Sequence, residues 1–168
     1  MSKLFSQKLI IIAGSPCVGK TTVAEKLFES YENSAHLDDD WVWRVNPFVM
    51  SDPRNKNANK NWSFVLSTYL NSDFDYVIFS SVRMIYESNR KSVLTDITAK
   101  DYKTLGFTLT CSENTLIERH KKRGDNNEVS FEWLRVKPHA NDFVINTDNK
   151  TEMQIVDEIK NIIDKRTI

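Results

Sequence analysis

The stretch Lys8-Leu9-Ile10-Ile11-Ile12-Ala13, continued by Gly14-Ser15-Pro16-Cys17-Val18-Gly19-Lys20-Thr21, decides the reading of this chain. The first part is a continuous apolar run bounded by glycine, as in a strand buried on both faces. The second part fits G-x-x-x-x-G-K-[ST]. Residues 20–31 then place Val23, Ala24, Leu27, Phe28 and Tyr31 at helical spacing. A strand, a tight glycine turn and a helix in this order build an anion cradle. Glycines let the chain curl until several N–H groups point inward, and the helix beneath adds its positive end. Lys20 would reach the outer phosphates of a nucleotide, and the Thr21 hydroxyl would ligate Mg²⁺. The candidate nucleotide contacts are Gly14, Ser15, Pro16, Cys17, Val18, Gly19, Lys20, Thr21 and Thr22. Cys17 reads as a small residue at a tolerant position; a reactive thiol is the other reading.

Outward from this turn, apolar runs and helical patterns alternate. Ala35–Leu37, Tyr76–Phe79, Leu105–Cys111 and Phe143–Ile145 read as strands. Helices are expected at 60–71, at 85–97, from Ser112 towards Arg123, and after Thr151-Glu152-Met153-Gln154, a capping box. About five such alternations predict an α/β fold, a parallel sheet covered by helices on both faces. The run Asn55-Lys56-Asn57-Ala58-Asn59-Lys60-Asn61 reads as a solvated loop or helix start.

Composition narrows the classes. The 168 residues, 40% hydrophobic and 27% charged, suit one ordinary globular domain and exclude a wholly disordered chain, a collagen and a coiled coil. No apolar run approaches the ~20 residues that span a bilayer, and residues 1–8 lack a secretory pattern. Twenty-three basic and 23 acidic side chains cancel, which argues against a broad nucleic-acid-binding face. Two cysteines make no disulfide framework, so a reducing cytoplasm is the expected compartment. Oligomeric state is not readable.

Three further constellations bear on chemistry. Asp38-Asp39-Asp40 follows the second strand, whose carboxyl end should face the cradle. Phosphoryl transfer to a hydroxyl needs a carboxylate to receive the proton and oxygen ligands for the metal. Asp38 and Asp40 are two apart and point the same way on extended chain, leaving Asp39 as a surface charge. Helix capping is the competing reading for all three. Arg119 and Arg123, i and i+4, share a helix face. They suit either a phosphoryl clamp or the basic C-terminus that a helix dipole favours. Arg44, Arg54 and Arg135 are lesser candidates for substrate contacts. Trp41, Trp43 and Trp62 suit an acceptor pocket or, for Trp62 at least equally, the core.

On these motifs the sequence resembles the P-loop small-molecule and nucleotide kinases, the branch holding adenylate kinase, shikimate kinase, chloramphenicol phosphotransferase and the tunicamycin-resistance protein. The resemblance runs from Ile10 to about Ile163 and is most specific at the cradle. It implies a three-layer P-loop NTPase fold with sheet order 2-3-1-4-5. One domain over 1–168 would carry an acceptor-binding helical segment at about 41–72 and a short lid at about 116–128. It also implies ATP and Mg²⁺ as nucleotide and metal, with a small-molecule acceptor. Asp40, seven residues before Pro47, takes the base role, and Asp38 a metal or substrate role, although the choice of base between them stays open. Arg119 and Arg123 become lid arginines, Arg83 matches an acceptor-binding arginine, and Asn146 and Thr147 lie near the adenine. Phe79 stands where nucleoside monophosphate kinases carry an aspartate, so no Walker B acid is evident on that strand. The expectation is transfer of the γ-phosphoryl of ATP to a hydroxyl or phosphate of a small molecule. A nucleotide-binding regulatory NTPase or switch without such an acceptor is the alternative.

Overall fold

The computed structural model describes residues 7–49, 51–124 and 128–166. Five strands, β1 (Gln7–Gly14), β2 (Ser34–Asp38), β3 (Tyr76–Ser80), β4 (Tyr102–Thr110) and β5 (Phe143–Asn146), form one parallel sheet in the order β2-β3-β1-β4-β5. Five α-helices connect or follow them: α1 (Lys20–Glu29), α2 (Ala58–Leu70), α3 (Glu87–Asp96), α4 (Glu113–Arg123) and α5 (Glu152–Lys165). The order and the fold class are the expected ones.

β1 explains the layering. It is central, with Ile10 opposite Ile78 of β3 and Leu105 of β4. Leu9 to Ala13 are at most 1% exposed. Strand side chains alternate between faces. Ile10 and Ile12 accordingly enter a core with Val23 and Leu27 of α1 and Ile155, Ile159 and Ile163 of α5. Leu9, Ile11 and Ala13 enter a second core with Trp62, Leu66 and Leu70 of α2 and Val93 of α3. A fully buried Leu or Ile contributes about 1.5–3 kcal/mol, so a strand buried on both sides stabilises both layers.

Local signals set most helix ends. The Ser112 hydroxyl accepts from Thr115 N at 3.2 Å, and Gly124, at φ 68, terminates α4. The Thr151–Gln154 capping box is present at the start of α5. Gly106 has a tertiary reason: a Cβ there would fall 1.8 Å from Asp142 Oδ1. Asp142 is held by Arg90 Nη2 at 2.9 Å and by the Thr108 hydroxyl at 2.7 Å, a buried ion pair lying against β4.

Several expectations are corrected. The helix expected from Ile85 begins at Glu87, after a three-ten turn over Arg83–Ile85. The segment 41–72, expected to be helical, is helical only in part. Residues 42–49 are irregular, Pro53–Asn57 is a three-ten turn, and α2 packs its Trp62 face into the core beneath the sheet. The asparagine-rich run is not solvated throughout. Asn55 and Asn59 are buried, because Asn55 Oδ1 accepts from Trp43 Nε1 at 3.0 Å while its amide donates to Val49 O at 2.9 Å. Residues 1–6 and the 125–127 part of the expected lid lie outside the described residues. Among the described residues, no helix is long and apolar enough to cross a membrane.

Candidate active site

In a parallel sheet every strand ends on the same side, so the turns after all five strands converge. A cleft of about 1110 Å³ opens there. Its floor is the turn from Pro16 to Thr22. Gly14 carries φ 144 and sits so close to β4 that a Cβ would meet Leu109 O at 2.5 Å. Gly19 carries φ 97 and opens α1, leaving the first amides of that helix aimed at the cleft. Cys17, at φ 65, also takes the left-handed conformation, which residues other than glycine, asparagine and aspartate rarely adopt. Its position is therefore conformationally demanding rather than tolerant. The Ser15 hydroxyl is buried in this turn with no hydrogen-bond partner.

Lys20 Nζ donates to Ser15 O at 2.9 Å, arching back over the cradle. Burial holds its ammonium below the usual lysine range, opposed by Asp39 and Asp38. Thr21 Oγ1 donates to Asp38 Oδ2 at 2.9 Å, tying the cradle to the end of β2. Asp38 is buried and also accepts from the Ser80 hydroxyl at 2.7 Å. Since the Ser80 proton is spent on Asp38, the Ser80 oxygen must accept from His36 Nε2, 3.1 Å away. Burial pushes the His36 pKa down, although Asp38 opposes it.

The parity argument for the aspartates fails here. β2 ends at Asp38, which caps a three-ten turn over Asp39–Trp41 by accepting from Asp40 N. The turn brings Asp38, Asp39 and Asp40 together, with one carboxylate oxygen of each within 4.8 Å of the others. Asp39 is thus no surface charge. Its Oδ2 accepts from the Ser81 hydroxyl at 2.6 Å, and its carbonyl accepts from Trp62 Nε1 at 3.1 Å. Burial raises its carboxyl to about 6, against the Ser81 hydrogen bond, which lowers it. Asp40 is exposed and lines the cleft.

The remaining candidates divide. Arg119 lies in the cleft but is anchored, donating to Val18 O at 3.1 Å, Thr147 Oγ1 at 2.9 Å and Thr147 O at 3.1 Å. Arg123 lies one turn further along α4, its Nη1 3.7 Å from Cys17 Sγ. Asn146 and Arg44 do not line the cleft. Asn146 Oδ1 accepts from Asp148 N at 2.8 Å, and Arg44 is exposed. Arg83 is also outside the lining, donating to Asn55 O at 3.0 Å and lying 5.6 Å over the Trp62 ring. Trp62 is core, as one reading had it; Trp43 holds Asn55, and Trp41 packs edge-on to His36 away from the cleft. Arg54 pairs with Asp52 and Arg135 with Glu113, both at the surface.

Residues the sequence reading missed include Asp39, Phe48, Val82, Lys122 and Lys150 of the lining, and Ser80 and Ser81 behind it. The available signal was the Ser80-Ser81 pair at the end of β3. It supplies hydroxyls where an acid was sought, and the acids come from β2 instead.

The sequence matches the AAA domain family AAA_18 over residues 10–157. No curated protein matches it. Solved structures share the fold at low identity. A gluconokinase from Sinorhizobium meliloti has TM-score 0.67 and 16% identity, covering 97% of this chain and 94% of that one. The Deinococcus radiodurans tunicamycin resistance protein has TM-score 0.67 and 16% identity, covering 94% and 95%. The Mycobacterium tuberculosis APS kinase, in complex with AMPPNP and APS, has TM-score 0.64 and 14% identity, covering 95% and 96%.

Proposed function

As the chain belongs to the AAA domain family AAA_18, we propose that it is a P-loop phosphotransferase that moves the γ-phosphoryl of ATP to a hydroxyl of a small molecule. The observation that carries this reading is one cleft holding an anion cradle on its floor and three converging carboxylates beside it. A nucleotide-binding module needs the cradle. The carboxylate cluster at the mouth suits a reaction that must also receive a proton.

The residues fit the two groups the reading requires. The left-handed turn, the unpartnered Ser15 hydroxyl and the α1 amides suit a polyphosphate. Thr21 Oγ1 and the Asp38 carboxylate are hard oxygen donors of the kind Mg²⁺ takes. When bound, Mg²⁺ offsets negative charge on the transferring phosphoryl. Lys20 and the turn amides hold the phosphates. Asp38, fixed by Thr21 and Ser80, keeps its place at the cradle's edge. Asp40, exposed in the cleft, receives the acceptor proton; Asp39 is the other carboxylate within reach of that role. The acceptor oxygen bonds to the γ-phosphorus as the bond to the bridging oxygen of the departing ADP breaks. Arg119 braces the adenine side, and Arg123 meets the charge that spreads over the moving group.

The test is to measure ATP consumption alone and with a panel of hydroxylated metabolites. Slow hydrolysis that accelerates with one acceptor, lost in Asp40→Asn with ATP binding retained, supports the reading. Nucleotide hydrolysis indifferent to every acceptor would favour a regulatory switch.

A further inference from the structure

The cleft is electrically divided by the order of the sheet. The cradle after β1 lies at its centre, with β2 and β3 on one side and β4 and β5 on the other. Among the described lining residues, the cations beyond Lys20 are Arg119, Lys122, Arg123 and Lys150, all on the β4–β5 side. One acid, Glu152, lies there too, 3.5 Å from Lys26 Nζ. The β2–β3 side contributes Asp38, Asp39 and Asp40 together with two apolar side chains, Phe48 and Val82. Phe48 is 55% exposed, a large ring with little to cover it. No described cation lines that side: Arg83 is turned to Asn55 O and Trp62, and Arg44 is outside the lining.

We infer that the acceptor is not an anion but an amine-bearing hydroxyl compound with an apolar body, its ammonium among the carboxylates and its apolar face on Phe48 and Val82. This rests on the phosphotransferase reading, because it assumes that the polyphosphate occupies the cradle and the cationic side. A carboxylate, phosphate or sulfate on the acceptor would enter a region of three acids whose neighbouring described cation, Lys20, is committed to the cradle and its phosphates, and like charge there repels. An ammonium would find hydrogen-bond acceptors and opposite charge, and an aromatic or aliphatic body would remove the Phe48 ring from water.

Three small probes of one shape separate these chemistries: 2-amino-1-phenylethanol, 1-phenyl-1,2-ethanediol and mandelate. They carry a phenyl ring and a hydroxyl with, respectively, a cation, no charge and an anion. Binding is measured by ligand-observed NMR on the full chain, with Mg²⁺ and AMPPNP present and nucleotide uptake checked separately by calorimetry. The amine is expected to bind about tenfold or more tightly than mandelate, with the diol between them. Phe48→Ala, at an exposed position that should not disturb folding, is expected to weaken the amine and the diol alike. Asp40→Asn is expected to narrow the gap between amine and mandelate. Mandelate binding as tightly as the amine overturns the inference, as does failure of the amine to bind protein that has taken up the nucleotide. Absence of nucleotide uptake is a different failure, and it removes the phosphotransferase reading itself.

Discussion

Thr21 Oγ1 donates to Asp38 Oδ2 across 2.9 Å, joining the first turn of α1 to the last residue of β2. The same carboxylate oxygen accepts from Ser80 at the end of β3. One buried acid thus fixes the ends of two strands to the phosphate cradle. Asp38→Ala is expected to lower Mg²⁺-dependent turnover by about 100-fold or more, since groups that orient metal ligands alone are worth 10–100-fold. Nucleotide binding without metal should persist. Calorimetry with and without Mg²⁺, alongside initial rates, checks this. Equal Mg²⁺ dependence in wild type and variant would remove Asp38 from the metal site.

The two arginines of α4 should separate kinetically. Arg119 is anchored to Val18 and Thr147, so Arg119→Ala is expected to raise the KM for ATP and lower thermal stability. Arg123→Ala is expected to lower kcat by roughly 10²-fold or more with a smaller change in KM, as for loss of a group acting on developing charge. Steady-state kinetics with varied ATP decides it, and a pure KM effect at Arg123 would contradict the assignment.

Asp39 should give the stability curve a recognisable pH dependence. Its folded pKa is about 6, above the ordinary 3.8, so the folded state holds the proton more tightly than the unfolded one. Its contribution is full below pH 4 and is lost as pH rises through 6. Asp39→Asn should therefore gain on wild type between pH 4 and 7, by on the order of 2 kcal/mol. His36, with its pKa depressed, contributes the opposite trend, stability lost as pH falls below 6.5, and it cancels in the comparison. Urea melts in EDTA across that range provide the measurement. A constant difference between the two proteins would refute the buried charge.

Trp62 has two jobs that substitution can separate. Its ring is 2% exposed in the core under the sheet, and its Nε1 holds Asp39 O. Trp62→Phe keeps much of the ring packing and loses the hydrogen bond, so the expected stability loss is about 1–3 kcal/mol, with turnover reduced. Trp62→Ala should cost about 3–5 kcal/mol. Chemical denaturation paired with rates checks both, and unaltered turnover in folded Trp62→Phe would make the bond to Asp39 purely structural.

Against the middle of β4, the Arg90–Asp142 pair lies over Gly106 with neither side chain more than 5% exposed. Asp142→Ala would leave a buried guanidinium without its carboxylate, and the expected cost is about 3–5 kcal/mol. Replacing Gly106 with alanine should be similarly damaging, because the methyl group would displace Asp142. A urea midpoint close to wild type in either variant would count against this pair as a structural element.

Legibility followed the range of the interaction. The cradle, the central strand, the capping box and the Ser112 cap are written in neighbouring residues, and each was found where its spacing put it. The aspartate cluster is not local in the same sense. Reading Asp38 and Asp40 as one face assumed continued strand. Yet the chain turns as soon as β2 ends, and Ser80 and Ser81 on another strand hold the result in place. The arginines show the same limit: Arg119 and Arg83 both read as ligand contacts, yet Arg119 braces the cradle and Thr147 while Arg83 braces Asn55.

The sequence by itself determined a β-strand buried on both faces, an anion-binding turn and the alternation that makes a layered parallel sheet, because periodicity and turn chemistry act between near neighbours. Only the tertiary structure decided which carboxylates reach the cradle and which side of the cleft carries the positive charge. Those depend on where strands stop and in what order they lie side by side, and long-range packing sets both.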